Sequence, residues 1–148
     1  MISIVRCMLL GFGINKTWES RDAAEALEIV RHEAVDIVIT DLQMPMLDGL
    51  EFTRLVRTSD DVRNPFIPII MLTAHSERSR IVAARDAGVT EICAKPINAR
   101  ELWSKIAAVV NQPRPFVRTR SYAGPDRRRR NAPYEGKERR KTQPSAQV

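Results

Sequence analysis

The feature that most constrains this chain is a β-branched run ending on a carboxylate, Val35-Asp36-Ile37-Val38-Ile39-Thr40-Asp41. A largely apolar run of this kind suits a parallel strand covered on both faces, rather than a sheet with one wet side. Asp41 falls at the carboxyl end of that strand, where open α/β sheets place their ligands. Met44-Pro45 and Asp48-Gly49 follow with turn chemistry ahead of the next helix. Taken alone, an Asp after a strand is ordinarily a cap for a turn or helix.

Two later stretches repeat the arrangement. Ile67 to Leu72 reads as a second buried strand ending at Thr73-Ala74, and Thr90 to Ala94 as a third ending at Lys95-Pro96. Three parallel strands would bring a carboxylate, a hydroxyl and an ammonium to one sheet edge. Helical patterns separate them. Ala23 to His32 carries Ala23, Ala26, Leu27 and Val30 as a stripe of 3.6 period, with Ser20 or Asp22 as its cap. A helix from Leu50 to Arg57 turns Phe52, Leu55 and Val56 inward. Another begins at Ser76 and stops at Gly88, a left-handed cap. The last runs from Ala99 to Val110, capped by Asn98 with Glu101 at capping-box spacing. Met1 to Phe12 is apolar on most faces and suits a largely buried helix, and Ile14 to Glu19 is a poorly patterned strand candidate. The alternation argues for a parallel sheet with helices on both faces.

The spaced set Asp41-x-x-Met44-Pro45-x-x-Asp48-Gly49, Thr73 and Lys95-Pro96 resembles the receiver domain of two-component response regulators over residues 1–112. The resemblance implies a flavodoxin-like fold and a phospho-acceptor signalling protein, with self-phosphorylation and slow autodephosphorylation rather than enzymatic turnover. It implies that Asp41 accepts a phosphoryl group from a histidine kinase or phosphotransfer protein. Thr73 and Lys95 would contact the phosphate. Mg²⁺ would be held by Asp41, the Gln43 carbonyl and an acidic pair, and a cis Lys95-Pro96 bond would aim the lysine. Gln43 and His75, each two residues past a site residue, occupy positions that tune acyl-phosphate hydrolysis in this family. Asp48 reads as a turn residue rather than a ligand, and His32 as a solvent-facing helix residue.

The chain departs from the family at two places. Receivers open with a strand ending in the acidic pair, and counting back from Asp41 by the family's spacing runs out before Met1. The fold is therefore expected to be N-terminally incomplete, with the first strand missing and Mg²⁺ bound weakly. A reading frame shortened to an internal Met and a natural pseudo-receiver completed by another chain are the two explanations. The aromatic residue that switches rotamer in the family is replaced by Ile92, so a signal would be carried by shifts around residues 76–112. Trp103 is either core packing or part of a docking face.

Charge divides the chain. Residues 1–112 hold 13 Lys+Arg against 15 Asp+Glu, a net of −2, and residues 113–148 hold 11 against 3, a net of +8. The Pro- and Arg-rich segment 113–148 is expected to be a disordered tail. It contains one echo, Gly124-x-Asp126-Arg127-Arg128 and Gly136-x-Glu138-Arg139-Arg140. Such a segment could bind an acidic protein surface, a membrane face or nucleic acid. No apolar run reaches the roughly 20 residues of a membrane span. Met1 to Ile14 lacks a basic leader and a cleavage site, so a signal peptide is rejected. Cys7 and Cys93 read as buried free thiols of a reducing cytoplasm. The resulting expectation is a single-domain cytoplasmic response regulator acting through an unidentified output protein. The alternative is a non-phosphorylatable adaptor whose basic tail binds an acidic partner or nucleic acid.

Overall fold

The computed structural model describes residues 1–128. Its core is a three-stranded parallel sheet, β1 (Val38–Asp41), β2 (Ile69–Thr73) and β3 (Glu91–Ala94), in the order β1-β2-β3. The register pairs Asp41 with Leu72 and Thr73 with Ala94, so the strands end nearly level. Five helices surround it: α1 (Ile2–Gly11), α2 (Ala23–His32), α3 (Gly49–Thr58), α4 (Arg78–Ala87) and α5 (Ala99–Asn111).

Strand alternation sorts the core between two faces. All five residues of β2 are buried. Ile70 and Leu72 join Val5 of α1, Cys93 of β3 and Leu102, Ile106 and Val109 of α5 on one face. On the other face Ile69 packs with Leu27 and Val30 of α2 and Phe52 and Val56 of α3. Met71 packs with Leu50, Ala84 and Ala87 at the α3–α4 side. Helix boundaries follow their caps. Asp22 accepts from the Glu25 amide at 2.9 Å, Asn98 accepts from Glu101 at 2.7 Å, and Gly88 ends α4 at φ 101°. Helix α4 starts at Arg78, two residues past the expected Ser76, with no side-chain cap.

Several expectations need correction. Helix α1 is not largely buried: Val5 alone is, while Ile2, Ile4 and Leu10 are 40%, 58% and 46% exposed. It meets the sheet along one stripe, through Val5, Met8 and Leu9, and its other sides face solvent. Residues 14–19 form no strand, and among the described residues β1 is paired only to β2. Leu55 points outward, and Cys7 is exposed although Cys93 is buried.

Residues 113–128, assigned from sequence to a disordered tail, are packed against the domain. They form an antiparallel hairpin of β4 (Phe116–Arg118) and β5 (Ala123–Pro125). Its receptor is built around Arg57, which is only 2% exposed. The Arg57 guanidinium donates to the carbonyls of Ile67 at 2.6 Å, Pro65 at 2.8 Å and Gly88 at 2.9 and 3.1 Å. Phe116 covers it, with its ring 5.5 Å from the guanidinium carbon and 4.3 Å from the Phe66 ring. These contacts lie at the end of the sheet opposite Asp41. The remainder of the expected disordered tail, with the second echo, lies outside the described residues.

Candidate functional site

The carboxyl edge of the sheet gathers the residues singled out from sequence. Asp41 is the last residue of β1, Thr73 the last of β2, and Lys95 follows β3 directly. The Lys95 amide donates to the Thr73 carbonyl at 2.9 Å, which extends the ladder one step past β3. The Lys95-Pro96 peptide bond is cis. From there the lysine reaches across the central strand, and its Nζ lies 2.5 Å from Asp41 Oδ2. Both side chains remain about a quarter exposed, at 26% for Asp41 and 21% for Lys95. The pair is thus shielded from bulk water yet open to a small ligand, and its Coulomb attraction exceeds that of a fully solvated pair.

The other Asp41 oxygen, Oδ1, accepts from the Gln43 amide at 3.1 Å, which curls the chain over the carboxylate. Thr73 is buried, and its Oγ1 accepts from the His75 amide at 3.0 Å. The two loops meet where Gln43 Nε2 lies 3.3 Å from His75 Nε2. Gln43 and His75 therefore form a bridge between the β1 and β2 loops. Sequence spacing places each of them by its site residue but does not reveal this contact.

Asp48 does not join the site. It caps α3, accepting from the Glu51 amide at 2.9 Å, while the Glu51 carboxylate accepts from the Asp48 amide at 3.3 Å. Gly49 is required by contact, not by backbone conformation: a Cβ there would fall 2.4 Å from the Asp41 carbonyl oxygen. The Gly49 amide donates to Leu42 at 2.9 Å, so α3 begins directly against the acidic loop. Within that loop Met46 takes φ 66°, the left-handed region that costs an ordinary side chain about 1–2 kcal/mol. His32 lies on the outer side of α2, 3.2 Å from Glu28. Trp103 is 47% exposed and packs on Phe12 with the rings tilted at 53° and their centroids 5.1 Å apart. Burial pushes the Cys93 thiol up, away from thiolate reactivity.

For a divalent cation the edge offers the Asp41 carboxylate and the Gln43 carbonyl. Among the described residues no group of three or more His, Cys, Asp or Glu could hold a metal ion. The one carboxylate is already engaged by Lys95. One carboxylate held by Lys95 and one carbonyl make a weak site for Mg²⁺, which is bound through one or two carboxylates and keeps several waters. What the edge does offer an anion is the Lys95 ammonium and the Thr73 hydroxyl.

Comparison with known proteins identifies the fold and its family. The chain is 32% identical over 106 residues to the chemotaxis protein CheY-3 of Vibrio cholerae, covering 72% of this chain and 80% of the relative. It is 38% identical over 96 residues to the response regulator MprA of Mycobacterium leprae, covering 65% and 40%. A putative response regulator from Chloroflexus aurantiacus superposes with a TM-score of 0.68 at 26% identity, over 75% of this chain and 88% of that one. The receiver domain of the sensor histidine kinase PA1611 from Pseudomonas aeruginosa, solved with magnesium in its active site cleft, gives 0.65 at 25%, over 74% and 88%. The response regulator receiver domain family matches residues 1–107, which include Asp41, Thr73 and Lys95, and the chain belongs to that family.

Proposed function

We propose that Asp41 is the acceptor of a phosphoryl group delivered by a histidine kinase or phosphotransfer protein, and that the chain signals through protein contacts. The observation that carries this reading is the 2.5 Å pair between Lys95 Nζ and Asp41 Oδ2, set across the strand that ends in Thr73. A carboxylate attacks an anionic phosphoryl group only when the repulsion between them is neutralised, and phosphoryl transfer is chiefly positioning plus electrostatics. Asp41 forms the new P–O bond as the bond from phosphorus to the donor nitrogen or oxygen breaks. Lys95 shifts from the carboxylate to a phosphoryl oxygen and supplies a point charge there. Thr73 turns its hydroxyl from the His75 backbone to a second oxygen. The Gln43–His75 bridge joins the loops that follow Asp41 and Thr73, and there it sets how fast the acyl phosphate is hydrolysed.

One observation favours a second reading, a receiver that serves as an adaptor without phosphorylation. The described residues present a single carboxylate at the edge, with no group able to hold a metal ion. Either way the protein works as a soluble cytoplasmic signalling component. Among the described residues no helix is long and apolar enough to cross a membrane.

Incubation with acetyl phosphate, with and without Mg²⁺, separates the readings by intact mass. The switch predicts the gain of one phosphoryl group that Asp41→Asn abolishes and Lys95→Ala strongly reduces. No gain under either condition would favour the adaptor.

A further inference from the structure

The docked hairpin gives the echo in the basic segment a physical meaning. Read from its tyrosine, the pattern is Tyr-x-Gly-x-acid-Arg-Arg, at Tyr122–Arg128 and again at Tyr134–Arg140. The chain contains two tyrosines in all, and each opens one copy. The first copy occupies a corner formed by Asp86 and Gly88 beside Arg57, where the repeated Gly124 and Arg127 make the contacts. Gly124 lies against Gly88 with no room for a side chain: a Cβ would fall 2.7 Å from the Gly88 Cα and 2.6 Å from the Tyr122 hydroxyl. The Tyr122 hydroxyl donates to the Pro125 carbonyl at 2.6 Å, and its ring lies 4.6 Å from the Arg127 guanidinium carbon. Arg127 also pairs with Asp86 at 2.7 Å. Asp126 Oδ1 accepts from the Arg128 amide at 3.0 Å.

The unrepeated positions contribute backbone. Ala123 presents its carbonyl to Gly88, and Pro125 accepts through its own. Substituting Glu135 and Lys137 there would leave those groups in place. The second copy thus has every side chain the corner selects. It lacks two supporting contacts: Phe116 and Arg114, six and eight residues before Tyr122, are replaced at the same offsets from Tyr134 by Arg128 and Asp126, whereas Arg114 donates to the carbonyls of Thr90 and Asp126. Without the ring over Arg57 and the Arg114 tie the second copy docks more weakly. The longer tether costs little, because loop-closure entropy grows only with the logarithm of length.

We propose that the Asp86–Gly88 corner beside Arg57 is a docking site for the sequence Tyr-x-Gly-x-acid-Arg-Arg, and that Tyr134–Arg140 of the same chain is its alternate occupant, replacing Tyr122–Arg128 when the first copy is displaced. The strap then has two registers. In the second, Phe116 and the arginines of the first copy are released to solvent while the corner stays filled.

The Gly88 amide resonance of the full chain reads the occupant directly. Wild type and Gly136→Val should give the same position. Gly124→Val should move it to a second position, and Gly124→Val with Gly136→Val to a third, undocked one, all unchanged on dilution. If Gly136→Val leaves the Gly124→Val spectrum unaltered, the second copy does not dock and the proposal fails. A second position that disappears on dilution would assign the occupant to another copy of the chain, and would overturn exchange within one chain. Should Gly124→Val prevent folding, Arg127→Glu with Arg139→Glu repeats the comparison without altering the close glycine contact.

Discussion

Replacing Arg57 by Met should be the most damaging single change outside the sheet. The guanidinium is buried, and among the described residues it has no carboxylate partner. It instead makes four hydrogen bonds to the carbonyls of Pro65, Ile67 and Gly88, which belong to the loops leading into β2 and β3. Methionine fills much of the same volume but leaves two buried acceptors and the part-buried Pro65 carbonyl unpaired. Each unpaired acceptor costs about 1–3 kcal/mol. Part of that is returned, because burying the charge is itself unfavourable: burial lowers the Arg57 pKa to about 10. A net loss of about 3 kcal/mol is expected, a large share of the 5–15 kcal/mol typical of a domain. In urea unfolding, with a slope of about 1–3 kcal/mol/M, the midpoint should fall by about 1–3 M. Arg57→Lys, able to reach fewer of the carbonyls, should lie between. A loss below about 1 kcal/mol at unchanged slope would mean that water satisfies these carbonyls as well as Arg57 does, and would refute its role as the clamp between sheet and hairpin.

Two further perturbations probe other parts of the account. Gly49→Ala pushes a Cβ into the Asp41 carbonyl and should destabilise by about 1–3 kcal/mol. Its phosphorylation rate should also fall, whereas Gly11→Ala, with open space around it, should stabilise α1 by about 0.5–1 kcal/mol and leave the rate unchanged. An unaltered rate in Gly49→Ala would detach the start of α3 from the acceptor. Burial raises the Tyr122 hydroxyl above its usual value of 10.0. A raised folded-state pKa means that the folded chain holds the proton longer, so this contribution to stability is complete below pH 10 and is lost as pH rises beyond it. Ultraviolet titration should show a late-ionising phenol that Tyr122→Phe removes. Removal of the early-ionising phenol instead would contradict the docked hairpin.

Much of the sheet edge was legible in the sequence, because its signals are local. Buried parallel strands demand apolar runs, and the runs before Asp41, Thr73 and Lys95 supplied them. Asp22, Asp48, Asn98 and Gly88 punctuate the helices with side chains or backbone freedom that act within one turn. The features that escaped depend on contacts distant in sequence. Arg57 looks like an ordinary charged residue at a helix end, and only the approach of three loops makes it a core residue. The strands of the hairpin have three residues each, with Gly, Pro and Arg among them, and no alternation marks them. Their order comes from Phe116 on Arg57 and Gly124 on Gly88. Residues 14–19 show the converse: a weak strand pattern without a ladder partner stays unpaired. At the site itself, the Gln43–His75 bridge follows from the meeting of two loops, which spacing along the chain does not encode.

The central claim is that Asp41 carries the phosphoryl group, and it is tested most directly by trapping the acyl phosphate where it forms. Borohydride reduces an aspartyl phosphate to homoserine, which peptide mass spectrometry assigns to a single position. After exposure to a phosphodonor, the account predicts homoserine at position 41 alone. Homoserine at Asp48 or another carboxylate, or phosphate retained on Thr73 or His75, would contradict it.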